Sequence, residues 1–236
     1  AGLSDSVFIT DELTEFKLTG DHKAWWSVGD WDSYEHPYKE GLLSQVGELN
    51  DTTSDIAQYY IPDRWAMNTP VTLRTASGLH LSFHEADLTG YAGMTLHVDP
   101  DEHRLKAALV AWPDGIKVKT QTPFVTPWRT VQVSSDAAGL IESHLIVNLN
   151  DPNEIDDTSW IEPMKYAGIW WEMHLGLSTW DFAGSQDMTS FTTDLEPTGK
   201  HGATTENATR YIDFCAANGI RGLLIEGWYT GWENWI

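Results

Sequence analysis

Over roughly the first 150 residues, apolar and polar positions alternate in short runs separated by turn residues, the period of strands with one buried face. In the clearest case Val71-Thr72-Leu73-Arg74-Thr75 and Leu79-His80-Leu81-Ser82-Phe83-His84-Glu85 flank Ser77-Gly78, which predicts a hairpin. Similar runs predict strands over 94–98, 106–110, 129–133 and 144–149, and no helical period competes strongly in this half. Several short strands joined by polar turns argue for a β-sandwich, assigned to residues 1–155 and incomplete at its start.

The period changes beyond an acidic, turn-rich passage, Asn150-Asp151-Pro152-Asn153-Glu154-Ile155-Asp156-Asp157, which suits a surface connection between domains. From Ala167 to Trp171 the chain is almost continuously apolar, as a parallel strand covered on both faces would be. After a long polar loop, Thr204 or Thr205 can cap a helix, Glu206 suits its positive end, and Ala208, Tyr211, Ile212 and Cys215 form one stripe. Asn218-Gly219 supplies the stop, and an apolar strand over 222–225 follows, ending in Glu226. Residues 156–236 therefore read as β-loop-α-β with a right-handed crossover. The expected fold class is mainly β with an α/β part: a large sandwich, then the start of a barrel.

Composition narrows the function classes. The chain has 236 residues, 41% of them apolar, enough to bury a core, and a net charge of -21 that repels nucleic acid and anionic lipid. Its single cysteine, Cys215, excludes an internal disulfide and a cysteine-based zinc cluster. No apolar run reaches the roughly eighteen residues that span a bilayer, so no membrane insertion is expected.

In parallel α/β architectures ligands meet residues at the carboxyl ends of strands. Glu172 and His174 hold that place after the first strand of the second part, Glu226 and Trp228 after the second. Carboxylates beside tryptophans suit carbohydrate, since the acids accept from sugar hydroxyls while an indole covers the C–H face of a pyranose. Trp170, Trp171, Trp232 and Trp235 are read instead as filling core or interdomain space. In the first part, Glu85 ends a strand and could serve a hard cation such as calcium, whereas His84 and Asp87 have no zinc spacing and read as loop surface.

Several passages together resemble family 97 of the glycoside hydrolases. They are Asp21-His22-Lys23-Ala24-Trp25-Trp26 with Gly29-Asp30-Trp31-Asp32-Ser33-Tyr34-Glu35, then Asn68-Thr69-Pro70-Val71-Thr72, then His84-Glu85-Ala86-Asp87 running on to Gly93-Met94. Further on, Ile169-Trp170-Trp171-Glu172-Met173-His174 and Ile225-Glu226-Gly227-Trp228 with Gly231-Trp232-Glu233-Asn234-Trp235 complete the set, in family order over nearly the whole chain. The resemblance implies a larger enzyme, with an N-terminal β-sandwich, a central (β/α)8 TIM barrel and a C-terminal β-domain, acting on α-glucosides or α-galactosides with calcium. It implies that Glu85 is a calcium ligand reaching out from the sandwich, and that Trp228 belongs to the substrate-binding region; Glu226, read from its place at the strand end, is a further substrate-binding candidate or a structural hydrogen-bonding carboxylate. The catalytic acid and base are expected on later barrel strands, beyond Ile236, so the isolated chain is expected to be inactive. A periplasmic or extracellular location, after an export signal not present in this chain, is expected. The rival reading is a non-catalytic carbohydrate-binding β-sandwich module.

Overall fold

The computed structural model describes residues 5–30, 34, 36–50, 60–169, 172, 177–178, 202 and 204–225. The chain divides into two compact units, Ala1–Asn153 and Glu154–Ile236.

The first unit is built from ten strands among its described residues: β1 (Ser6–Ile9), β2 (Glu15–Lys17), β3 (Lys23–Val28), β4 (Lys39–Leu42), β5 (Ala66–Arg74), β6 (His80–Ala86), β7 (Met94–Asp99), β8 (Arg104–Leu109), β9 (Val118–Gln121) and β10 (Trp128–Ser134). A short helix, α1 (Val46–Leu49), follows β4, and α2 (Ala137–Ile141) and α3 (Leu145–Asn148) follow β10. β1 and β9 form a small antiparallel sheet, and the other eight strands form one large sheet.

β5 is the hub of that sheet. One edge runs along β3, from Lys23 opposite Arg74 to Val28 opposite Met67. Its other edge is divided: Ala66, Met67 and Asn68 pair with β7, while the stretch from Val71 to Arg74 pairs with β6. Pro70, with no N–H to offer a ladder, stands between the two partners. The sheet therefore leaves β5 as two limbs, one through β6 to β10 and the other through β7 and β8 to β2.

The far limb returns over the near one. Phe16 of β2 packs edge-on against Phe83 of β6 with ring centroids 5.1 Å apart, although β5, β7 and β8 lie between them in the ladder. This gives the sandwich-like arrangement its core, in which Trp26, Met67, Leu73, Leu96 and Leu105 are fully buried and Phe83 nearly so. Each such side chain contributes about 1.5–3 kcal/mol by leaving water. The polar end of Trp26 is satisfied too: its indole N–H donates to Asn50 Oδ1 at 2.8 Å, and Asn50 donates onward to the carbonyls of Arg64 and Ala66. β8 shows the alternation plainly, with Leu105, Ala107 and Leu109 buried between half-exposed neighbours.

The predicted hairpin is β5 and β6, closed by Thr75 N–H donating to Leu79 O at 2.9 Å. The strands expected over 94–98, 106–110 and 129–133 are β7, β8 and β10. The stretch over 144–149 is different: it forms α3, with Asn148 N–H donating to His144 O at 2.9 Å. Its β-branched Ile146 and Val147 suit a strand only where a ladder and a packing face are present, and Val147 instead stays 72% exposed. Asn150 fixes the turn, its side chain donating to Ile146 O and accepting from Asp87 N–H.

In the second unit, residues 154–165 carry no strand or helix and are exposed. The ordered elements are β11 (Tyr166–Gly168), α4 (Thr205–Ala217) and β12 (Gly222–Leu224), with β11 and β12 parallel and Ala167 opposite Leu223. Thr204 caps α4 by accepting from Asn207 N–H at 3.1 Å. Asn218 ends it, Gly219 adopts φ +65°, and Ile220 N–H returns to Cys215 O at 2.9 Å, a Schellman closure. Of the expected stripe, Cys215 is buried while Ile212 is 51% exposed. Of the apolar run expected to be a strand to Trp171, Ala167 and Gly168 lie in β11 and Ile169 is fully buried after it, while Trp170 and Trp171 lie outside the described residues.

Candidate functional site

Glu85 lies near the end of β6 on the same side as Phe83 and Leu81, so strand alternation carries a carboxylate into the inner face. It is buried, and both its oxygens accept from Met94 N–H at 3.1 Å. Directly opposite it on β10 is Arg129, whose Nη1 donates to Glu85 Oε2 at 2.6 Å. The remaining edge of the guanidinium forks onto Glu12, with Nε and Nη2 each 2.7 Å from a carboxylate oxygen. Glu12 precedes β2, so one arginine ties the two ends of the sheet together.

This cluster sets two carboxylates against one guanidinium, and their titration differs. Burial pushes Glu85 above its ordinary value, and the Met94 N–H and Arg129 offset this only in part. Burial also opposes ionisation of Glu12, but hydrogen bonding and charge from Arg129 outweigh it and hold Glu12 below its ordinary value. Tyr91 stands beside them, its ring centroid 5.8 Å from the Arg129 guanidinium carbon, and burial together with the charge of Glu12 pushes its phenol up. Burial and then the charge of Glu85 likewise raise Tyr34.

The oxygen donors of this cluster meet the needs of a hard cation only in part. When all three groups are ionised the cluster is one negative charge in excess, and among the described residues Glu85 Oε1 accepts only from Met94 N–H. At Gly93 a Cβ would lie 3.9 Å from that oxygen, and its absence leaves that side of Oε1 open. Glu85 thus fits as a single oxygen ligand. It does not make a site alone, since calcium takes six to eight oxygens and no group of three or more His, Cys, Asp or Glu among the described residues is placed to hold a metal.

His84 is not loop surface. It stands in β6 opposite Thr130 of β10, half buried, and burial lowers its pKa, so it remains neutral at pH 7. In the second unit, Glu172 is buried at 9% exposure and is held from α4, accepting from Asn207 Nδ2 at 2.5 Å and from Arg210 at 3.5 Å. His174, Glu226 and Trp228 lie outside the described residues, as do Trp170, Trp171, Trp232 and Trp235.

Sequence reasoning singled out Glu85 without Glu12, Arg129 and Tyr91, which the structure places around it. Arg129 falls within a predicted strand, yet nothing local says which strand pairs with it, and Glu12 lies 117 residues away. A short carboxylate-bearing strand end opposite an arginine is visible only once the register is known.

A sandwich-like β-unit followed by a parallel β-α-β unit is an arrangement shared with solved structures. The family profile for the Glycosyl-hydrolase 97 N-terminal domain matches residues 2–152, and that for Glycoside hydrolase 97 matches residues 170–236. The chain belongs to glycoside hydrolase family 97. It is 39% identical to a family 97 enzyme from Pseudoalteromonas sp. strain K8 solved in complex with acarbose, aligning over 99% of this chain and 30% of that one with a TM-score of 0.63. It is 26% identical over 217 residues to a retaining alpha-galactosidase of Bacteroides thetaiotaomicron, covering 84% of this chain and 28% of the relative. A β-arabinopyranosidase at 18% identity and a TM-score of 0.53 shares the fold. The chain therefore spans less than a third of the length of these relatives.

Proposed function

We propose that the complete protein hydrolyses α-glucosidic or α-galactosidic bonds, using paired carboxylates and a bound calcium ion. The observation that carries this reading is that both family profiles match in order along the chain. Two relatives support the substrate class: one is a retaining alpha-galactosidase, and the Pseudoalteromonas enzyme was solved with acarbose and, as a variant, with panose. In this reading the second unit is the opening of a (β/α)8 barrel, and later strands supply the acid and base carboxylates that glycoside hydrolysis requires. Calcium, when bound, supplies positive charge that orients substrate and stabilises charge developing near it.

The residues of this chain have supporting roles in that reaction. Glu85 serves as one ligand to the cation, and Arg129, itself braced by Glu12, holds the Glu85 carboxylate in place and favours its ionised form. Trp228 covers the apolar face of a sugar ring and Glu226 accepts from its hydroxyls.

Calcium titration of the complete enzyme tests the assignment. Glu85→Gln keeps the size of the side chain and removes its charge, so it is expected to weaken apparent calcium affinity about tenfold or more and to lower kcat/KM at limiting calcium. Trp228→Ala is expected to raise KM for an α-glycoside without altering the calcium midpoint. An unchanged calcium midpoint in Glu85→Gln removes Glu85 from the metal site.

A further inference from the structure

Tyr91 and Trp112 edge a cleft of about 560 Å3 in the first unit, walled by Gly90 and Gly93 and flanked by Lys117 and Lys119. Trp112 is 59% exposed, yet its backbone is fixed. Its N–H donates to Ile116 O and its carbonyl accepts from Gly115 N–H, both at 2.8 Å, closing a turn in which Gly115 takes φ +82°. Lys119 Nζ stands 5.8 Å from the indole centroid and is paired with Asp114 at 2.5 Å, while Lys117 Nζ donates to Leu109 O at 2.8 Å.

A large apolar ring is thus held ready in water with charged donors and an acceptor beside it. Because the ring's backbone is already ordered, a ligand stacking on it would lose little affinity to ordering. The chemistry suits a hydroxyl-rich ligand. Lys119 is neutralised by Asp114, and the net charge of -21 opposes anions. A pyranose meets both demands, placing its C–H face on the indole and its hydroxyls toward Lys119 and Asp114.

The cleft also adjoins the cluster around Glu85. Gly93 forms part of its wall and stands beside Glu85 Oε1, and Tyr91 has the Arg129 guanidinium 5.8 Å from its ring. We propose that this cleft is a glycan subsite, holding sugar units of the substrate beyond the bond that is cleaved, with Trp112 as its stacking platform. This rests on the reading that the complete enzyme acts on α-glycosides.

The test compares substrates of increasing length with the complete enzyme. Wild-type is first assayed on the p-nitrophenyl α-glucoside and α-galactoside, which tests the parent reading by itself. KM is then measured for the monoglycoside and for the di-, tri- and tetrasaccharides of whichever sugar is released. Trp112→Ala is expected to raise KM for the tri- or tetrasaccharide about tenfold and to leave the p-nitrophenyl monoglycoside unchanged, whereas Trp112→Phe retains most of the length preference. Equal KM ratios at every length, whether unity or a uniform loss, overturn the subsite while leaving the parent reading intact.

Discussion

Arg129 meets two carboxylates at once, and its side chain is only 10% exposed, with Glu85 at 5% and Glu12 at 15%. In such a setting the cost of removing one partner is dominated by the charge left behind. Arg129→Met is therefore expected to destabilise the protein by about 3 kcal/mol, measured as a lower denaturant midpoint. The acid response should come from Glu12. Its folded pKa lies below the ordinary 4.5, so the stability it contributes is complete above that pH and is lost as pH falls through the lower folded value. Glu12→Gln should flatten this acid limb, and an unchanged pH profile of stability would remove Glu12 from the account. Glu85 has the opposite sign, since burial leaves it easier to protonate in the folded chain than in the unfolded one.

Among the elements, strands whose alternation matches one buried face were readable from the sequence, as β5 through β8 were. α4 was readable because its stop signals are local: Asn218 and Gly219 suffice to end a helix whatever packs on it. Gly219→Ala should cost about 1 kcal/mol, because φ +65° brings an L side chain against its own carbonyl, and thermal unfolding of the complete protein would show it. The stretch that became α3 misled because its β-branched residues carry a preference that only a neighbouring strand could realise. β1, β2 and β4 escaped notice because three or four residues give too little pattern to count, and β3 because Trp25 and Trp26 are consecutive while only the second is fully buried.

At the scale of the whole molecule, the first unit is a sheet divided at Pro70 and folded back so that β2 meets β6 and Glu12 meets Arg129. That return is what assembles the candidate site, and it depends on contacts between residues far apart in sequence. Glu85 could be picked out beforehand because it lies in a family-like passage at a strand end; the brace behind it could not. Exposed apolar groups on the second unit, including Tyr166 at 62% and Phe214 at 56%, agree with a chain that spans less than a third of its relatives' length.

As proposed above, this family 97 chain is part of a calcium-assisted α-glycosidase in which Glu85 is one ligand to the metal. The most direct measurement is sugar release from p-nitrophenyl α-glucoside and α-galactoside by the complete enzyme, after chelation and again after calcium is restored. The account predicts hydrolysis of at least one substrate, loss of most activity on chelation, recovery with calcium, and a calcium requirement shifted upward in Glu85→Gln. Full activity in the chelated enzyme, or no hydrolysis of either α-glycoside with calcium present, would contradict it.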